Sequence, residues 1–224
     1  MSCGGRVRDA EVNRRIAGSS DLVQRSALAR FLTDSAYARR VLRYLMGLPT
    51  PLNTTDRQVL ESTVFEHFAS LPRIRSVLFV GCDWYTRHYG RAYFRSKNYW
   101  TIDPRASARK FGARRHVVAP LEELDRHFPA NHFELIICNG VFGHGLDTRQ
   151  QCEQAFDQCF RALCPGGQFV LGWDDIPRRT PVSLDELASL RRFIKQDLPA
   201  FGTWRYVTDT PYRHTYDFYC VPAR

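Results

Sequence analysis

The spacing of apolar positions changes near residue 75. Before it, they recur at helical intervals. Leu22, Leu28, Leu32, Tyr37, Val41 and Leu45 form a stripe over 20–46, capped by Ser20-Asp21 and ended by Gly47, Pro49 and Pro51. A second helix starts at Thr55-Asp56, carries Val59, Leu60, Thr63, Val64 and Phe68, and closes at Pro72. From Ser76 onward, short apolar runs alternate with helical stretches. Runs at 76–80, 99–103, 116–118, 133–138 and 168–172 read as buried strands. Thr148 and Gln151 have capping-box spacing ahead of a helix. Cys152, Ala155, Phe156, Cys159, Phe160 and Leu163 line one face of it, and Pro165-Gly166-Gly167 breaks it. A further helix is expected over 183–196, then strands over 204–207 and 214–221 joined by a turn at Asp209, Thr210 and Pro211.

This alternation predicts an α/β fold. Its expected core is a doubly wound, mostly parallel, seven-stranded sheet with an antiparallel C-terminal hairpin. The helical segment 1–72 would form an N-terminal cap, and 73–224 the α/β domain. Such sheets bind ligands beyond the carboxyl ends of their strands. Residues 81–86, 103–105 and 139–147 therefore carry the functional question.

Composition narrows the class. The chain has 224 residues, 44% of them hydrophobic and 25% charged, as in ordinary globular proteins. No apolar stretch approaches the roughly 20 residues of a membrane span. The N-terminus carries Arg6, Arg8, Arg14 and Arg15 but no apolar block, so a soluble, cytoplasmic protein without a membrane partner is expected. The seven cysteines form no Cys-x-x-Cys pair and lack histidines at zinc spacing; they read as reduced, buried thiols, with no metal. A net charge of +9 raises a nucleic-acid partner. Yet the bases are arginines spread along the chain, with lysine only at Lys97, Lys110 and Lys195, and they form no tail. A small-molecule partner is favoured over nucleic acid.

Two residues point to a nucleoside. Gly81 follows the first strand, where a missing Cβ lets backbone approach a ligand. Asp103 lies 22 positions later, at the end of the second strand, where an acid can accept both hydroxyls of a ribose. The Gly-x-Gly-x-x-Gly fingerprint of dehydrogenases is not met, because Asp83 and Thr86 occupy its later positions.

At these residues the chain resembles the class I S-adenosylmethionine-dependent methyltransferases, over about 76–175. Ser-Val-Leu-Phe-Val-Gly-Cys (76–82) is similar to the family's first motif, Val-Leu-Asp-Ile-Gly-Cys-Gly-Thr-Gly. Thr-Ile-Asp (101–103) resembles its ribose motif, and Phe-Glu-Leu-Ile-Ile-Cys-Asn-Gly-Val-Phe-Gly-His (133–144) its fourth-strand motif. Ala-Leu-Cys-Pro-Gly-Gly-Gln-Phe-Val-Leu (162–171) matches the segment entering strand five. The resemblance implies a Rossmann-like methyltransferase fold with S-adenosylmethionine as cofactor. It places Val80, Gly81, Cys82, Asp83 and Tyr85 at the methionine moiety, and Asp103 with Pro104 at the ribose. Leu121 and Glu122 would border the adenine, and Asn139 and Gly140 the sulfonium.

The chain departs from the family at Phe79, which replaces an acid, and at Asp83 and Tyr85, which replace glycines. Asp83 is then a substitute partner for the cofactor's ammonium. A general base for an oxygen nucleophile is expected at His144, with His88 second. Asn-Gly-Val-Phe (139–142) lacks the prolines common in enzymes that methylate a flipped base, which favours a small-molecule oxygen or nitrogen acceptor. Trp173, Asp174 and Asp175 would wall the acceptor pocket, or Trp173 would pack in the core. Tyr37 and Tyr44 would contribute to a lid. The alternatives are an RNA-directed methyltransferase and a degenerate, non-catalytic binding protein.

Overall fold

The computed structural model describes residues 34–46, 48 and 52–223. The chain divides into two compact units, Met1–Thr50 and Pro51–Arg224. In the first, helix α1 (Ser35–Leu45) covers the C-terminal part of the stripe expected over 20–46; its earlier part lies outside the described residues, as do the side chains of Tyr37 and Tyr44. Among the described residues no helix is long and apolar enough to cross a membrane.

The second unit begins with helix α2 over 55–70, which runs α-helical from Thr55–Val59, widens into a π-turn at Leu60–Phe65, and returns to α at Glu66–Ser70. Leu71 turns extended (ψ 118°), the conformation that the following Pro72 imposes. The helix buries Leu60, Val64, Phe65 and Phe68 against Val77 and Phe79 of the first strand. It thus shares the sheet's core, and the boundary falls at residue 50 instead of 72.

Eight strands build one sheet: β1 (Ser76–Val80), β2 (Asn98–Ile102), β3 (Arg115–Val117), β4 (Phe133–Asn139), β5 (Leu163–Asp174), β6 (Ile194–Lys195), β7 (Arg205–Val207) and β8 (His214–Cys220). Their order is β3-β2-β1-β4-β5-β8-β6, with β7 also paired to β8. The first five are parallel, while β8 is antiparallel to β5, β6 and β7. The side chains alternate between two cores, as the pleat requires. Leu78, Val80, Ile136 and Leu171 face helix α4 (Arg149–Ala162), and Val77, Phe79, Ile137 and Val170 face α2 and the short helix α3 (Tyr89–Ala92).

The Thr148 capping box forms as expected, with Gln151 N donating to Thr148 Oγ1 at 3.2 Å and Thr148 N to Gln151 Oε1 at 3.1 Å. Pro165-Gly166-Gly167 does not end α4, which stops at Ala162 where Leu163 turns extended. It sits inside β5 at an irregularity where the partner of Leu163 is Phe133 and that of Gln168 is already Leu135. The helix expected over 183–196 is absent. Two 3₁₀ turns, Leu184–Glu186 and Leu190–Arg192, lead into β6, the eighth strand. The buried residues there, Leu184, Leu187, Leu190 and Phe193, are each three apart. That repeat fits three residues per turn; in an α-helix of 3.6 it would drift across about half the circumference.

Candidate active site

The carboxyl ends of β1, β2, β4 and β5 open into a cleft of about 760 Å³. Every residue expected at the cofactor lines it: Val80, Gly81, Cys82, Asp83 and Tyr85 after β1, Asp103 and Pro104 after β2, Leu121 and Glu122, and Asn139 and Gly140 at β4. His144 lines it as well. His88 does not. It is buried behind β1, with Nε2 3.6 Å from the Glu61 carboxylate, which also accepts from the hydroxyls of Tyr89 and Tyr93 at 3.0 and 3.2 Å. Trp173 also turns away. It packs in the core and donates its indole N–H to Asp217 at 3.1 Å, while Asp174, on the opposite face of β5, enters the cleft. Asp175 pairs with Arg213 instead.

Gly81 carries a left-handed φ of +82°, and a Cβ there would stand 2.9 Å from Val141 Cγ2. Only glycine lets the β1 turn pass that close to the β4 loop. Cys82 N donates to Asp103 Oδ2 at 2.8 Å, joining the first turn to the second. Asp103 is 3% exposed, and its backbone and Arg105 donors outweigh burial, holding its carboxyl below the usual range. Burial pushes the Cys82 thiol up to about 12, so it is no nucleophile. Asp83 caps its own turn, accepting from Trp84 N at 2.7 Å.

Tyr85, in place of a glycine, makes a platform for Arg57, whose guanidinium carbon lies 4.6 Å from the ring centroid. Arg57 comes from α2, and its side chain is only 9% exposed. Its position was legible in part, since 57, 60, 64 and 68 share one helix face and a charge on a buried stripe asks for a partner.

From Arg57 a polar chain crosses the floor of the cleft. Oriented to satisfy its neighbours, the Asn139 amide accepts from Arg57 Nη1 at 2.9 Å and Nη2 at 3.2 Å, and donates to His214 Nε2 at 3.1 Å. His214 Nδ1–H in turn donates to Asp174 Oδ1 at 2.6 Å. The other oxygen of Asp174 takes Arg179 and, at 3.3 Å, Nε2 of His144. Burial raises the Asp174 carboxyl, but the bonds from His214, Arg179 and His144 prevail and hold it well below the usual carboxylate range. Beside this chain, Tyr212 donates to Asp56 Oδ1 at 2.9 Å, tying β8's entry to the start of α2.

The loop after β4 explains the exposure of His144. Phe142 and Leu146 are buried anchors, and Gly143 (φ +74°) lets the loop press on the Arg179 backbone, within 2.8 Å of a would-be Cβ. His144 projects between them, its side chain 37% exposed. With Nε2–H given to Asp174, Nδ1 is left as the basic nitrogen. Arg179, Tyr212 and His214 carry no signal in the sequence, because the cross-strand pair Asp174–His214 depends on the β5–β8 register, which no local motif encodes.

A cleft at the carboxyl ends of a parallel sheet, with a buried acid after β2, lies where α/β folds of this kind bind their ligands. Residues 78–171 match the family model described as a methyltransferase domain. Comparison with curated proteins gives no match. Among solved structures, the chain is similar to the N-methyltransferase NodS from Bradyrhizobium japonicum WM9, at 15% identity and TM-score 0.55, covering 75% of this chain and 99% of that one. The form of NodS in complex with S-adenosyl-L-homocysteine gives 15% identity and TM-score 0.54, covering 84% and 100%. A TehB-like methyltransferase from Corynebacterium glutamicum gives 16% identity and TM-score 0.52, covering 74% and 93%. At these identities the structural likenesses establish the fold. The family match adds that residues 78–171 are similar to a methyltransferase domain.

Proposed function

We propose that this chain is a class I S-adenosylmethionine-dependent methyltransferase that methylates an oxygen or nitrogen of a small molecule, with His144 as general base. The observation that carries this reading is the His144–Asp174 pair, which sets a half-exposed imidazole on a buried carboxylate at the mouth of β4 and β5. The residues present fit the cofactor. Asp103 is a buried acid at the ribose position, and the Gly81 turn provides the close backbone approach. In this reading Asp103 takes the ribose hydroxyls, and Leu121 and Glu122 border the adenine. The turn from Val80 to Asp83 supports the methionine moiety, with Asp83 for its ammonium and Arg57 for its carboxylate. When bound, the cofactor supplies a methyl group already activated by its sulfonium.

The protein then has two tasks. Asn139 and Gly140 shape the passage between cofactor and acceptor, and His144 Nδ1 removes the acceptor's proton. Asp174 fixes the imidazole's tautomer and steadies the imidazolium that forms, while His214 and Arg179 keep that carboxylate ionised.

A labelled methyl donor offered with a panel of phenols, carboxylates and amines tests it. A small-molecule product is expected. His144→Asn should lower turnover by about 10²–10⁴-fold while leaving S-adenosylhomocysteine affinity intact. Unchanged turnover removes the base, and preferential labelling of RNA removes the small-molecule reading.

A further inference from the structure

Asp103 has no acceptor capacity to spare. An ionised carboxylate offers about four lone-pair positions. Oδ1 accepts from Arg105 N at 2.9 Å and Arg105 Nε at 3.1 Å; Oδ2 accepts from Cys82 N at 2.8 Å and Arg105 Nη2 at 3.0 Å. The same Nη2 also donates to Cys82 O at 2.7 Å, so the guanidinium straps the β1 turn to the β2 turn. Two of these four donors are backbone groups fixed by the fold. The other two belong to a side chain that is 60% exposed.

A ribose diol needs one acceptor for each hydroxyl. The guanidinium holds one position on each carboxylate oxygen, which is the same pattern. We infer that Arg105 is a built-in competitor for the ribose-binding positions, and that its side chain leaves Asp103 whenever the cofactor binds. This rests on the reading of Asp103 as the ribose acid.

The exchange trades two N–H···O bonds for two O–H···O bonds and leaves both backbone bonds in place. Its net cost is the ion pair and the bond to Cys82 O, so Arg105 lowers affinity for every ligand that carries the diol. Because the arm is largely solvated, the effect is moderate. It would also hasten departure of the demethylated product, since the competitor is tethered beside the acid.

Calorimetric titration with S-adenosylhomocysteine, which needs no turnover, tests this on the wild type, Arg105→Ala and Arg105→Gln. Both variants should bind about three- to tenfold more tightly than wild type. The ratio should narrow as salt rises and screens the ion pair. Equal or weaker binding by both variants overturns the inference. Asp103→Asn separates the two levels. If it loses affinity while the Arg105 variants gain none, the competitor alone fails. If it binds like wild type, the ribose assignment falls and the competitor with it.

Discussion

Gly172→Ala perturbs the cleft without touching any charged group. Gly172 lies within β5, between Asn139 of β4 and Tyr216 of β8. Glycine-to-alanine changes inside a strand normally gain about 0.5–1 kcal/mol. Here the sign should reverse. A Cβ at 172 would stand 2.8 Å from Asn139 Cγ and 3.1 Å from His214 Nε2, and closer still to the amide atom that meets His214. The amide must leave, and it is the link between Arg57 and His214. Losing a neutral bond costs about 1 kcal/mol, and losing those to a buried guanidinium about 1.5–3 kcal/mol, with a further penalty for groups left unpaired. The sum is about 3–5 kcal/mol. For a unit of this size that lowers the melting temperature by about 6–20 °C. Thermal and urea unfolding of Gly172→Ala, Asn139→Ala and the double variant form a cycle. In the Asn139→Ala background, where space has been made, Gly172→Ala should cost less than about 1 kcal/mol. An equal cost in both backgrounds would refute the reasoning.

Other outcomes follow from the electrostatics and burial. The Asp103 and Asp174 carboxyls are held below their unfolded values, so their contribution to stability is complete above about pH 4 and lost as pH falls through the folded values. Urea midpoints should therefore drop steeply in acid, and less steeply in Asp174→Asn, which is already weaker at neutral pH; parallel profiles would contradict this. A thiol reagent at neutral pH should modify Cys164 and Cys220, which are partly exposed, well before the buried Cys82, Cys138, Cys152 and Cys159. Early labelling of Cys82 in peptide maps would show that the β1 turn opens.

The fold was legible wherever one period ran for several turns or one apolar run was closed by a turn. Val77 to Val80, Ile136 to Cys138 and the Thr148 box needed no tertiary information. The segment after residue 183 was misread because Leu184, Leu187, Leu190 and Phe193 suit a helix by composition but repeat every three residues. Two backbone N–H groups there, of Ala188 and Ser189, are taken by Glu153 of α4 at 2.8 Å, a contact that only the assembled core supplies. In the site, Gly81, Asp103 and His144 follow strands directly and could be placed by position. His88 was misassigned because the chain after Gly81 makes turns before α3 and carries that imidazole behind the sheet, to Glu61 in the π-turn of α2. Asp174 and His214 meet only through the β5–β8 register.

The central claim is that Asp103 grips the ribose of the cofactor. Titration of S-adenosylhomocysteine into wild type and Asp103→Ala measures it directly. The account predicts a loss of about 1.5–3 kcal/mol, roughly 10- to 150-fold in Kd, with the variant still folded. Wild-type affinity in Asp103→Ala would contradict it.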